Sequence, residues 1–514
     1  MAKKRRSLLA SLNNESNCPP ILDMRFDEPL FSSAAHPTRP ILVSGLATGH
    51  LYCHTYDADM LEEKMRQKQA AFLKGSKSLP RISQLSQSWW SEIAHTDSSE
   101  AVSVNWKTKR HKGSCRSVLF DVQENSVGEY IYSAGTDNVI KKASTETGKV
   151  IGKREISTHY DDPKDAITTM AISTTHPFLL TGTDNGHALV FDTSDLGQSK
   201  LKFKLSQLHE DSVNKILPMP AVSPYHFLSL GSTTLTHFDI RKGPITQSDD
   251  QEDELLSMCY PTEFVDKGKN DTVLVSHGDG IVTLWRESTN RLSDQISRIK
   301  VNKAASIDAI IPTMNAGDDD MNDCVWCGDS EGLLHRVDYK KSRVVETRAH
   351  SASMGKLGAS DEVGGLDIDF EYRLISSGME GLKIWTDQGE ANGCDDEEHN
   401  YSSDSEEGSS SDTSCDLDSS QSESNIGSDL DLSDEGSGNE RAVNLVKKRR
   451  QPVQTHDTSQ KKKKIDLNKI TREDTAIRET EIDNQKQSKR KEKNSNKGAK
   501  SKTGNNGIMK FEGM

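Results

Sequence analysis

The sequence predicts an all-β fold, a seven-bladed β-propeller followed by a disordered C-terminal tail that is first acidic and then basic. Three observations predict it. One figure recurs, seen most plainly at residues 327–338, CGDSEGLLHRVD, where a small residue and a glycine close one extended run. A polar turn follows, and a second apolar run ends near an Asp. The figure returns at residues 44–57, 134–144, 181–192, 230–239, 276–285 and 376–385. Its anchoring glycines are Gly45, Gly135, Gly182, Gly231, Gly278, Gly328 and Gly378, and from Gly135 onward they step by about 47 to 50 residues, the period of propellers and solenoids. Thirdly, no helical pattern separates these runs, which excludes a parallel β-α-β architecture.

Composition confines the fold to part of the chain. A hydrophobic share of 33% against 28% charged residues is lean for 514 residues folded throughout. The shortfall lies beyond residue 391, so the propeller is expected over 21–390. Cys18, Cys53, Cys115, Cys259, Cys324, Cys327, Cys394 and Cys415 form no framework of spacings, which suits a reducing compartment. The N-terminus has an apolar stretch too short for a signal peptide, and no window approaches a membrane span, so a soluble intracellular protein is expected.

The elements follow in order. Residues 1–20 read as a basic disordered arm, with Lys3, Lys4, Arg5 and Arg6 in succession, either a solvated tail or a targeting signal. Residues 21–26, ILDMRF, read as a strand that completes the last blade and leaves no long open edge. The first blade is expected over 29–57. An insertion at 58–109, protruding between the first and second blades, opens with Leu61, Met65 and Phe72 at helical spacing. Its Trp89 and Trp90 are candidate partner-docking anchors, or else tuck against the rim. Each later segment supplies three or four runs rich in β-branched and aromatic residues between Gly, Asp and Asn turns. Thr136-Asp137-Asn138, Asp184-Asn185-Gly186 and Gly278-Asp279-Gly280 are tight-hairpin chemistry, because these residue types tolerate positive φ.

The third runs end in Tyr56-Asp57, Phe191-Asp192, Phe238-Asp239, Trp285-Arg286, Val337-Asp338 and Trp385-Thr386, a worn WD signature. His111, His209 and His350 precede first strands, where a Ser or Thr and a turn Asp would complete buried networks. With these features the fold resembles the WD-repeat propellers. HKGSCRSVLF, ASIDAIIPTM with CGDSEGLLHRVDYKKSRVV, and RLISSGMEGLKIWTD resemble the WD repeat-containing protein 55 family, whose fungal relatives are the Jip-type nucleolar proteins. The likeness covers about residues 20 to 390; the long insertion and the KKAST ending of the second blade depart from it. It implies a nuclear and nucleolar protein of ribosome biogenesis, concerned with pre-rRNA processing and the large subunit. The expected partners are proteins of pre-ribosomal particles, and the chain is expected to be a monomer within a larger complex.

The tail divides by charge. Residues 391–440 are acidic and Ser-rich, and residues 394–440 contain no Lys or Arg, so like-charge repulsion keeps them unfolded. Ser403, Ser420, Ser428 and Ser437 each have an acid three positions on, as acid-directed phosphorylation requires. The tract is a candidate for binding basic proteins such as ribosomal proteins or histones, or else a solubilising spacer. In residues 441–514 the clusters Lys447, Lys448, Arg449, Arg450 and Lys461, Lys462, Lys463, Lys464 are spaced like a bipartite nuclear localisation signal. The same lysines could contact pre-rRNA without reading its bases.

Little here points to catalysis. Cys324 and Cys327 lie three apart in a predicted strand, on opposite faces, so they cannot share a metal. Residues 318–320 with Asp323 read as a polar hairpin tip in preference to a cation site. No nucleophile elbow, phosphate loop or zinc-protease motif is present. The expectation is a non-enzymatic scaffold with no cofactor, no small-molecule substrate and no membrane contact. Arg116, Asn214, Asp308 and Lys356 are candidate partner-binding residues at blade tops. The alternatives are an adaptor of a chromatin or ubiquitin-ligase complex, or a hydrolase hidden in the central channel.

Overall fold

In the computed structural model of the chain, the residues described are 14–75, 90, 92–160, 162, 164–197, 201–266, 268–286, 295–314, 319–351 and 361–386. All lie in the first of two units, residues 1–402; the second is residues 403–514. The described strands, numbered β1 to β29 in chain order, form seven sheets, six four-stranded and one five-stranded. Their first strands are β2 (Leu30–Ala35), β7 (Cys115–Phe120), β11 (Ile167–Ile172), β15 (Lys215–Pro218), β19 (Leu255–Cys259), β23 (Ile307–Pro312) and β27 (Gly365–Ile368). Each lies against the first strand of the next sheet, and β27 lies against β2. The ring therefore closes as a seven-bladed propeller around a central channel.

Burial follows position in the blade. Second strands such as Phe178–Thr183 and Cys324–Asp329 are buried at every residue, because neighbouring blades cover both their faces. The outer strand β6 (Val102–Lys109) instead alternates, with Val102, Val104 and Trp106 inward and Lys107 and Lys109 exposed. Exposed lysines on an outer strand also discourage edge-to-edge pairing. The apolar cores lie between blades: Leu274, Val282 and Ile299 of the fifth pack with Ile307, Ile310 and Val325 of the sixth. In five blades the hairpin between second and third strands turns through positive φ, at Gly49, Asn138, Gly186, Gly280 and Gly332. Gly186 sits at φ 75°, and a Cβ there would lie 2.0 Å from the His209 carbonyl oxygen. In the second blade Asn138, at φ 54°, holds this place, as the Asp137-Asn138 chemistry predicts.

Closure is made by the N-terminal strand. β1 (Pro20–Arg25) pairs antiparallel with β29 (Gly381–Trp385), Pro20 opposite Trp385 and Arg25 opposite Gly381. Inside this seam the Asp23 carboxylate takes hydrogen bonds from Lys383 Nζ at 2.8 Å and Trp90 Nε1 at 2.8 Å. Burial alone would raise the Asp23 pKa, but Lys383 and Arg25 hold it below its ordinary value.

Two sequence expectations are corrected. The insertion predicted over 58–109 between the first two blades is housed within the first blade. Residues 102–109 are its outer strand β6, paired with the third strand from Tyr56 opposite Val102 to His50 opposite Lys109. The period-2 alternation of VSVNWKTK was the available signal, masked by the polar residues before it. The insertion begins with a helix, Ala58–Gly75, which packs Ala58 and Leu61 into the core of the first and last blades and whose first turn is capped by Asp57 Oδ1 accepting from Met60 N at 2.9 Å. Residues 92–94 then add a parallel strand, β5 (Glu92–Ala94), outside β1. Secondly, residues 14–20, assigned to the disordered arm, contact the ring. Ser16 N donates to Thr347 O at 2.8 Å along the outer strand of the sixth blade, and Cys18 is buried.

Candidate functional site

The buried histidines are the first place to look for chemistry. His111 Nδ1 lies 3.0 Å from Asp137 Oδ1, and its Nε2 lies 2.9 Å from Ser133 Oγ. His350 contacts Ser376 Oγ at 2.8 Å and lies 3.4 Å from Asp361 Oδ2, while Trp385 Nε1 donates to the same Ser376. His209 contacts Ser229 and Thr234 at 2.7 and 2.8 Å. In outline an Asp-His-Ser set resembles a nucleophilic triad. Yet Ser133, Ser229 and Ser376 are all 0% exposed, so no substrate reaches a hydroxyl. Burial pushes the His209 pKa down to about 4 although Asp211 opposes it, leaving a neutral ring that only exchanges hydrogen bonds. These networks fasten the leading loop of a blade to its second strand.

Sequence reading missed two further networks because their histidines stand on strands. His277 bridges Asp253 at 3.1 Å and Thr283 at 2.7 Å, and Trp285 Nε1 donates to Thr283 Oγ1. His335 bridges Asp329 and Thr347. Among the described residues no group of three or more His, Cys, Asp or Glu side chains could hold a metal ion. Cys324 and Cys327 are both buried, and burial raises the Cys327 thiol pKa well above its usual value. No helix of the described residues is long and apolar enough to cross a membrane.

The accessible feature is the mouth of the channel. In five first strands the ladder slips by one residue, between Leu30 and Ser32, Cys115 and Ser117, Ile167 and Thr169, Leu255 and Ser257, and Ile307 and Ala309. The unpaired bulge residues are thus Phe31, Arg116, Thr168, Leu256 and Asp308. A bulge re-aims its side chain out of the pleat. In the fourth blade Asn214 takes the corresponding place, immediately before Lys215 pairs with Leu230.

Arg116, Thr168, Asn214, Leu256 and Asp308 line one cavity of about 340 Å³ with Asp184 and Glu254. It adjoins the channel, about 650 Å³, which Arg116 and Asp308 also line. Phe31, 40% exposed, and Met379, 38% exposed, give the rim an apolar side, and the Arg116 guanidinium lies 5.8 Å from the Phe31 ring centroid. On the other side the charge is negative. Burial raises the Asp308 pKa, Asp329 and Glu254 add to it, and the hydrogen bond from Ser306 opposes it. Asp184 is raised by burial and Asp165, and Glu362 by burial, Asp308 and Asp361. Carboxylates crowded in this way are relieved by an arriving cation.

Of the candidate docking residues, the structure thus brings Arg116, Asn214 and Asp308 together. Trp90 is corrected: it is buried and bonded to Asp23, so it is a closure residue and not an exposed anchor. Trp89, Lys356, Ser403, Ser420, Ser428, Ser437 and both basic clusters, 447–450 and 461–464, lie outside the described residues. Sequence reading missed Phe31, Asp184 and Glu254; the bulge residue immediately before each paired first-strand residue carried no distinguishing type.

No family model matches the chain. It is similar to the WD repeat-containing protein JIP5 of Debaryomyces hansenii, 61% identical over 406 residues covering 76% of this chain and 70% of that protein. The protein of the same name in Scheffersomyces stipitis is 58% identical over 401 residues, 75% of each. That of Saccharomyces cerevisiae is 37% identical over 420 residues, 75% of this chain and 80% of that protein. With the ring closed, its repeats fastened by buried histidines, and such identity along most of both chains, this protein belongs to the JIP5 family of WD repeat-containing proteins.

Proposed function

We propose that the protein is a scaffold of ribosome biogenesis, acting in the nucleus and nucleolus on pre-rRNA processing and large-subunit assembly. The observation that carries a docking role is the channel mouth, where bulges in five of the seven first strands turn Phe31, Arg116, Thr168, Leu256 and Asp308 toward one opening. The rim mixes exposed apolar side chains with carboxylates, a pattern suited to proteins of pre-ribosomal particles, which carry basic segments. The assignment to ribosome assembly rests on the likeness to the WD repeat-containing protein 55 family quoted above. The clusters at 447–450 and 461–464 supply nuclear import, and the charged tail adds weak attraction to pre-rRNA or basic proteins. The acidic rim suits histone tails as well, which favours a chromatin or ubiquitin-ligase adaptor as the second reading.

One experiment separates them. Tagged full-length protein is purified from nuclear extract at low and high salt, and rRNA precursors are profiled after depletion. Large-subunit assembly proteins in the eluate with accumulated precursors support the proposal. Histones or ligase subunits with unchanged precursors overturn it.

A further inference from the structure

One residue below the bulges, the first strands carry Ser117, Thr169, Lys215 and Ser257 on four consecutive blades. Ser117, Thr169 and Ser257 are the first paired residues after their bulges, and Lys215 opens its own ladder against Leu230. All four line the channel. Among the described residues, the Lys215 ammonium makes no hydrogen bond or ion pair, and the three hydroxyls make none through their side chains. Burial lowers the Lys215 pKa, with Asp367 acting against it through space. Asp367 itself is occupied, accepting from Ala35 N at 2.7 Å and Ile368 N at 2.8 Å.

Lys215 is half-buried, and an ammonium drawn partly out of water with no acceptor of its own, beside hydroxyls facing the same cavity, asks for oxygen acceptors. The belt therefore calls for carbonyl or carboxylate oxygens, while the rim directly above, with Asp184, Glu254, Asp308 and Glu362 against Arg116, calls for a cation. A phosphate or other free anion fits the belt but leaves the rim carboxylates without a cation. A polypeptide satisfies both at once, because it carries a carbonyl at every residue.

We infer that the channel takes an inserted polypeptide segment bearing Lys or Arg, its cation held by the rim carboxylates and its carbonyl oxygens bonded by Lys215 and the hydroxyls of Ser117, Thr169 and Ser257. This rests on the docking role proposed above and names the class of partner segment. The rim supplies charge attraction that salt weakens, and the belt supplies short-range hydrogen bonds that salt leaves largely intact.

The test is a fluorescence-anisotropy titration of the full chain with a labelled, amidated hexapeptide alternating Ala with Lys or Arg, and with its Glu-substituted counterpart. Wild-type protein binds the basic peptide and not the acidic one. Asp308→Asn with Glu254→Gln weakens binding about tenfold at low salt and flattens its salt dependence. Lys215→Met weakens it about fivefold or more and keeps the salt slope. Thr169→Val, nearly isosteric, weakens it in the same manner as Lys215→Met and stands in should that variant not fold. Equal affinity for both peptides, or basic-peptide affinity untouched by the belt variants, overturns the inference. Co-purification of pre-ribosomal proteins is scored separately. If it persists while the titrations fail, only the channel inference falls; if it is absent while they succeed, only the ribosomal reading falls.

Discussion

At the scale of single residues, buried titratable groups make stability depend on pH with a definite sign. Burial pushes His36, His209 and His237 each down to about 4, with Arg39 adding to the effect at His36 and His226 at His237. The unfolded chain holds these protons near its ordinary value of about 6.5, so acid favours unfolding. The contribution of these residues is fully present above about 6.5 and is lost as pH falls toward about 4. Asp367 works the other way. Burial pushes its carboxyl up to about 6, so the stability it contributes is present below its unfolded value of about 3.9 and is lost as pH rises through about 6. Among the His and Asp groups shifted furthest three oppose one, and the melting temperature is expected to fall by about 5 °C between pH 7 and pH 5. Calorimetry at the two pH values checks this; an equal or higher melting temperature at pH 5 contradicts it. The part of this that the sequence disclosed was the loop histidines, because His111, His209 and His350 precede first strands at repeat spacing. His277 and His335 could not be foreseen, since a strand histidine looks the same whether it faces a neighbour or solvent. The bulges were equally hidden: Phe31, Arg116, Thr168, Leu256 and Asp308 share a backbone register and no residue type.

At the scale of elements, the closing sheet depends on one carboxylate. Asp23 is 0% exposed and serves Lys383, Trp90 and Arg25 from three segments: β29, the residue-90 stretch of the insertion, and β1 itself. Lys383 is 2% exposed, and its ring contact is the Trp90 indole, 5.4 Å away. Replacing Asp23 with Ala strands the buried ammonium. The expected cost is about 3 to 5 kcal/mol, the usual consequence of breaking a buried pair from one side. Urea unfolding should show this as a lower midpoint with an unchanged slope. A double variant, Asp23→Ala with Lys383→Met, should recover most of the loss, because no charge is then left unpaired. No recovery would mean that Asp23 acts through Trp90 and the insertion instead. The strand was legible from ILDMRF, but its carboxylate was not. An acid inside an apolar run becomes interpretable only when the lysine some 360 residues away is in view.

At the scale of the whole molecule, the ring is a topological device in which the first described strand holds the last. β1 lies between β29 and β5, and Ile21, Leu22 and Met24 are buried in a core shared by the first and last blades. Upstream, Asn14 and Ser16 pair with Thr347 on the outer strand of the sixth blade, so one short segment bridges two blades. Burial of three such side chains is worth roughly 1.5 to 3 kcal/mol each. The ladder to β29 adds to that, and the sum, on the order of 5 to 10 kcal/mol, rivals the whole stability of a typical domain. A chain lacking residues 14–27 is therefore expected to expose the edge of β29 and to aggregate or melt about 10 °C or more below the intact protein. A synthetic peptide of residues 14–27 added in trans should restore the melting temperature in a concentration-dependent way, because binding to the native ring stabilises it by mass action. The same peptide with Asp23 replaced by Ala should restore little, since Lys383 stays unpaired. Full stability in the truncated chain would show that the other blades close the ring without β1. Rescue by both peptides alike would show that backbone pairing, and not the buried carboxylate, is what fastens the two ends.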